Sequence, residues 1–234
     1  MAGLGVSRRE ARLWQPGNEP PRRHGCRRTV AGHFSGNSHY ESRCCEGLPI
    51  WSEVEVACRV TDADIIGITG TNGKTTTTTL VGEIMKATGR QTVVGGNIGY
   101  GLSEQAKDLP KAAVVVAELS SFQLEFTRTM KAKAAVILNI TPDHLNRHKT
   151  MENYALVKES VTKNQTARDV CVLNYEDERL REFGRQAAPR VLFFSSKQEL
   201  SEGAYLAGDE IFFALDGKKT PVMQDPGFKL ARSA

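Results

Sequence analysis

Residues 65–80 read IIGITGTNGKTTTTTL: an apolar run, two spaced glycines, a lysine and five threonines in succession. Threonine is a mediocre helix former, because its branched side chain loses rotamer freedom against the preceding turn. Yet a helix is what the next residues require. Leu80/Ile84 and Val81/Met85 are spaced i,i+4, which places both pairs on the apolar side of a helix over 75–88. The residues before the lysine, 64–69, read as a buried strand. A strand entering a glycine-rich turn that a helix leaves is the setting of a phosphate-binding loop. Gly70 and Gly73 let the backbone curl so that the loop N–H groups, those of Thr71 and Asn72 included, point at the phosphate oxygens of ATP, and the helix start offers unpaired amides and its positive end to the same anion. Lys74 is the candidate for the terminal phosphates, Thr75 for a Mg²⁺-bound hydroxyl, and Thr76 for a further contact at the helix start. The strict pattern G-x-x-x-x-G-K-[ST] needs glycine at 68, where this chain has Ile68, so TGTNGKT is a tighter version of the same device. Thr77–Thr79 read as small, half-polar residues packing on a sheet.

Outward from this loop, strands and helices alternate. A short helix is predicted near 52–59, and strands at 91–94, 112–117 (AAVVVA) and 134–138 (AAVIL). A helix over 151–163, a strand at 170–173, a helix over 177–184 and a strand at 191–194 follow. A small hairpin is predicted from 204–207 and 210–214 around Gly208-Asp209. Continuous apolar strands are those of a parallel sheet covered on both faces. The reading is an α/β fold: a three-layer, P-loop-type domain with a mostly parallel sheet and right-handed crossovers.

The charge is unevenly placed. The net charge is +4, and residues 1–46 hold eight arginines and no lysine against four acids. From 47 onward the charges cancel, which gives no electrostatic case for nucleic-acid binding. Residues 1–46 lack periodicity and are poor in aliphatics, so they are expected to be disordered. A basic arm, a transit peptide and a zinc site from His33, His39, Cys44 and Cys45 are the other readings of that segment. No apolar run approaches the roughly 20 residues of a membrane span. Five irregularly spaced cysteines fit reduced thiols in the cytoplasm.

Other acids and bases stand at predicted strand ends. Glu118 ends AAVVVA and reads either as a metal ligand beside the phosphate loop or as an exposed strand-end acid. Asp143, His144 and His148 in NITPDHLNRH follow the next strand, as metal or substrate contacts or as plain loop residues. Lys158 on the following helix reads as a solvated face residue.

The stretches ITGTNGKTTTTTLVGEI, GGNIG, AELSSFQLE and ILNITPDHLNRH resemble the central domain of the Mur ligases, ATP-dependent amide ligases of peptidoglycan precursor synthesis. ELSSFQLE resembles the D-glutamate-adding branch in particular. The resemblance runs from about 47 to about 220 and implies roles residue by residue. Lys74 and Thr75 match the phosphate-loop lysine and metal-binding hydroxyl, and Asn97 matches an asparagine near substrate and phosphates. Glu118 matches the ligand of a first Mg²⁺, Ser120 a residue lining the UDP-muramoyl substrate, and His144 a ligand of a second Mg²⁺. Lys158 matches a lysine that is carbamylated. Lys74, His144 and Lys158 are thereby the implied catalytic residues. The implied reaction activates the carboxylate of UDP-N-acetylmuramoyl-L-alanine with ATP as an acyl phosphate, which the amine of D-glutamate displaces.

The chain also departs from the family. Asn146 stands where the related PDHLDRH pattern has aspartate. The reading divides the chain into a non-family segment (1–46), an incomplete central ATP-binding domain (47–222) and an unstructured tail (223–234). Frameshift or truncation at the ends is expected, with an inactive, monomeric fragment as the consequence. A nucleotide-binding module without ligase activity and a folylpolyglutamate-type ligase are the alternatives; SSFQL and PDHLNRH speak for the Mur reading.

Overall fold

The structure is a computed structural model that describes residues 49–224. The expectations for residues 1–46, and for 225–234 of the tail, lie outside the described residues. The nine strands are β1 (Asp64–Thr69), β2 (Thr92–Gly96), β3 (Val114–Glu118), β4 (Ala134–Ile137), β5 (Val170–Asn174), β6 (Arg190–Ser195), β7 (Gly203–Ala207), β8 (Glu210–Leu215) and β9 (Lys218–Gln224). They form one sheet in the order β2-β3-β1-β4-β5-β6-β7-β8-β9. Pairing is parallel from β2 through β7, then antiparallel across β7-β8-β9.

The helices are α1 (Glu53–Val60), α2 (Lys74–Ala87), α3 (Leu102–Gln105), α4 (Ser121–Leu124), α5 (Leu145–His148), α6 (Met151–Glu159) and α7 (Glu178–Gln186). Two apolar clusters cover the two faces of the sheet. One joins Ile65, Val115, Ala117, Ile137 and Leu173 to Val54, Leu102, Tyr154, Val161 and Leu180. The other joins Ile68, Val114 and Val116 to Val81 and Met85 of α2. Burial on both faces of β3, whose five residues are all buried, is why its sequence runs apolar without alternation.

Close approach of α2 to the sheet explains Thr78 alone of the threonine run; Thr77 is half-buried, and Thr79, expected to pack on the sheet, is exposed because it falls off the stripe that meets it. Thr78 and Gly82, one turn apart, are the buried residues of the helix. A β-carbon at Gly82 would sit 2.4 Å from Val94, so only small residues fit that stripe. Val81 and Met85 pack as expected. Leu80 and Ile84, placed on the apolar side by the sequence reading, are instead 59% and 54% exposed. Seen down the helix, the sheet lies against 78, 81, 82 and 85, and residues 80 and 84 fall outside that stripe.

Three other details differ from the sequence reading. The helix predicted to reach 163 ends at Glu159, and a 3₁₀ turn over Ser160–Thr162 follows. The four-residue helices α3, α4 and α5 carry too short a pattern to be seen as periodicity. The sequence reading has no strand after the 204–214 hairpin, yet β9 runs through Met223 and Gln224, two residues into the assigned tail. Its lysines and Pro221 suit a sheet edge rather than an apolar run, and pairing of Met223 with Ile211 extends it.

Candidate functional site

The carboxyl ends of β1, β2, β3 and β4 lie side by side, and the loops leaving them carry the candidate residues. Open parallel sheets bind ligands at this edge. Leaving β1, the chain turns at Gly70 and Gly73; the latter is the N-cap of α2 in the left-handed region, at φ 81°. The first turn of α2 holds no acid and no side-chain cap, which leaves its amides for an anion. Lys74 Nζ donates to the carbonyls of Gly70 at 3.0 Å and Thr71 at 2.8 Å. Thr76 is exposed beside it.

Glu118 is 2% exposed although it ends a strand, because both its oxygens are engaged. Thr75 Oγ1 donates to its Oε2 at 2.8 Å, and Asn97 Nδ2 donates to its Oε1 at 2.9 Å. Asn97 is delivered by Gly96, whose φ of 104° and missing side chain let β2 end against the Glu118 carbonyl; a β-carbon there would lie 2.3 Å from that oxygen. The Asn97 amide then donates to the same carbonyl at 3.0 Å. The loop threonine, the acid and the asparagine thus form one linked group drawn from three strand ends.

Lys158 is buried, not solvated. Its Nζ donates to the Gly70 carbonyl at 2.6 Å and lies 4.7 Å from the centre of the Tyr154 ring. Burial draws its pKa down from 10.5 to about 7, the nearby Lys74 ammonium adds to this, and Asp143 opposes it. Two lysines therefore converge on one loop carbonyl. Tyr154, which the sequence places one turn before Lys158 without giving it a role, contributes its hydroxyl, 3.2 Å from Thr71 Oγ1.

His144 stands apart from these. It has a left-handed backbone at φ 51° and caps α5, with its side chain 48% exposed. Its ring faces Asp143 Oδ2 at 3.3 Å and the Phe122 ring at 4.9 Å. It makes no hydrogen bond or ion pair to Glu118 or Lys158 among the described residues. Ser120 caps α4: its hydroxyl and amide both reach the Gln123 side chain, and its hydroxyl accepts from the Gln123 amide. His148, left without a role by the sequence, is fully buried between Ser121 Oγ at 3.0 Å and Glu125 Oε1 at 3.3 Å.

The donor set bears on the metal question. Thr75 and Glu118 offer hard oxygens 2.8 Å apart at the phosphate loop, the chemistry Mg²⁺ prefers. Among the described residues no group of three or more His, Cys, Asp or Glu side chains gathers around a point. A site here therefore fits an ion that keeps water and phosphate oxygens as its other ligands.

Comparisons with known proteins bear on the family and the fold. The family profile described as Mur ligase middle domain matches residues 68–230. The UDP-N-acetylmuramoylalanine--D-glutamate ligase of Desulfitobacterium hafniense is 49% identical over 179 residues, covering 76% of this chain and 39% of that protein. The ligase of the same description from Lachnoclostridium phytofermentans is 49% identical over 175 residues, covering 75% and 38%. The chain spans about two-fifths of the length of these relatives. Among solved structures, a UDP-N-acetylmuramoyl-L-alanyl-D-glutamate--2,6-diaminopimelate ligase superposes with a TM-score of 0.57 at 25% identity, over 73% of this chain and 41% of that one. The MurF ligase of Thermotoga maritima in complex with ADP gives 0.53 at 20% identity, over 73% and 44%. Profile match, relatives and fold agree: the chain belongs to the Mur ligase family, as its middle domain, and the relatives it resembles are the D-glutamate-adding ligases.

Proposed function

We propose that this chain is the ATP-binding, carboxylate-activating domain of a ligase that joins D-glutamate to UDP-N-acetylmuramoyl-L-alanine in the cytoplasm. The linkage of Thr75, Glu118 and Asn97 at the mouth of the phosphate loop carries the reading. The amides of the α2 first turn and Lys74 hold the β- and γ-phosphates of ATP. Lys74 exchanges its two loop carbonyls for phosphate oxygens, a charge-assisted contact in place of neutral ones. Thr75 and Glu118 hold Mg²⁺, and Asn97 fixes the second Glu118 oxygen so that the carboxylate keeps one orientation. Magnesium, when bound, neutralises charge that gathers on the transferred phosphoryl group.

The substrate carboxylate attacks the γ-phosphorus, ADP leaves, and the D-glutamate amine then displaces phosphate from the acyl phosphate. In this reading Ser120, two residues past Glu118, contacts the UDP-muramoyl substrate. Lys158 is suited to carbamylation: with a pKa near 7 its amine is substantially neutral at physiological pH, so it can add CO₂ and release a proton. The product would be an anion beside the loop. The domain acts as a monomer on small molecules, with no role for nucleic acid or membrane; among the described residues no helix is long and apolar enough to cross one.

The test is a chimera in which residues 49–224 replace the matching segment of the Desulfitobacterium hafniense ligase. The expected result is D-glutamate-dependent product by mass spectrometry, abolished by Lys74→Ala. A folded chimera that forms no product while its parent does would overturn the reading.

A further inference from the structure

Asn139, two residues past β4, carries no role in the reading above, yet its side chain spends all its hydrogen bonds on the phosphate loop. Its Oδ1 accepts from the amides of Thr71 at 3.1 Å and Asn72 at 2.9 Å, and its Nδ2 donates to the Asn72 carbonyl at 3.1 Å. Its own carbonyl accepts from the Thr71 amide as well, at 3.0 Å. The side-chain orientation is fixed by this pattern, since a flipped amide would set two donors against two donors. The loop is flanked by two glycines, so it has little stiffness of its own. A second set of bonds holds it from the same side: Thr71 Oγ1 accepts from the Thr141 amide at 3.0 Å and donates to the Thr141 carbonyl at 3.1 Å.

The loop has few amides to offer, and their direction decides what they can bind. The Thr77 amide donates to the Gly73 carbonyl, and the amides ahead of it in α2 have no partner within the helix. We propose that Asn139 is the positioning residue of the phosphate loop: it turns the amides of residues 71 and 72 inward and so leaves those of 73–76 to face the polyphosphate. Binding then requires no reorganisation of the loop, which is how a preformed site gains affinity. Through Thr141 the same clamp connects the loop to the turn that carries His144. This inference rests on the phosphate-loop reading.

Hydrogen exchange of the full chain, with and without inorganic tripolyphosphate and Mg²⁺, tests it together with tripolyphosphate and ATP titrations. In the wild type, amides 71 and 72 exchange slowly before ligand is added and change little afterwards, while those of 73–76 gain protection on binding. Asn139→Ala speeds exchange at 71 and 72 and weakens tripolyphosphate and ATP by the same factor, roughly tenfold or more. Asn174→Ala is the control. It removes two bonds at the neighbouring strand end, from Asn174 Nδ2 to the Leu138 carbonyl and from the Glu176 amide to Asn174 Oδ1, and leaves both affinities unchanged. Protection at 71 and 72 that arises only with ligand, or an Asn139→Ala chain that binds like the wild type, would overturn the inference and leave the phosphate-loop reading standing. A wild-type chain that binds no tripolyphosphate would overturn both. The wild-type exchange pattern alone decides the matter if the alanine variant does not fold.

Discussion

Thr75 Oγ1 donates to Glu118 Oε2 at 2.8 Å, across 43 residues of sequence, and so ties the first turn of α2 to the end of β3. The bond engages the two groups proposed to hold magnesium. Glu118→Gln keeps an oxygen for Thr75 but loses the charge a divalent ion needs. The variant is expected to bind ATP at least tenfold more weakly at saturating Mg²⁺, with little change in metal-free ADP binding. Calorimetric titration in magnesium and in EDTA separates the two, and equal losses in both would assign Glu118 a purely structural part.

Lys158 makes stability depend on pH in a predictable direction. Its folded pKa of about 7 lies below the ordinary 10.5, so between those values the unfolded chain binds more protons than the folded one. Stability therefore rises with pH across that window, by at most about 1.4 kcal/mol per unit from this group, and the burial penalty is fully present below pH 7. In CO₂-free buffer, Lys158→Met is expected to be more stable than wild type at pH 7 and to lose this slope. Denaturant midpoints at pH 6.5 to 9.5 check it; parallel curves for the two proteins would refute it.

Thr78 has its hydroxyl buried without a hydrogen-bond partner among the described residues. Valine has nearly the same shape and no hydroxyl to desolvate. Thr78→Val is expected to stabilise the domain by about 1 kcal/mol, read as a rise in melting temperature, with nucleotide affinity unchanged. A fall in melting temperature would show that the hydroxyl has a partner.

Much of this was legible in the sequence, and what was not has physical causes. The buried strands were readable because apolar runs such as AAVVVA leave few other choices, and the phosphate loop because glycine, lysine and hydroxyl have a fixed local order. Glu118 was visible as the polar residue that ends a buried strand. Burial of Lys158 was not, since a lysine on a helix says nothing about which face meets the loop. Asn139 and Tyr154 act across 67 to 83 residues, and no local pattern records such contacts. Leu80 and Ile84 misled because helical spacing identifies an apolar side but not which part of it the sheet covers.

Binding of ATP to the chain is the most direct check on the central claim, that the loop of residues 70–76 is a nucleotide phosphate site. Isothermal titration with ATP and Mg²⁺ should give one site per chain, with affinity that falls when magnesium is chelated. In Lys74→Ala, which keeps the loop but loses its cation, binding should weaken at least tenfold while the melting temperature in the absence of ligand stays within a few degrees of wild type. Absence of ATP binding by the folded wild type, or equal affinity in wild type and Lys74→Ala, would contradict the account.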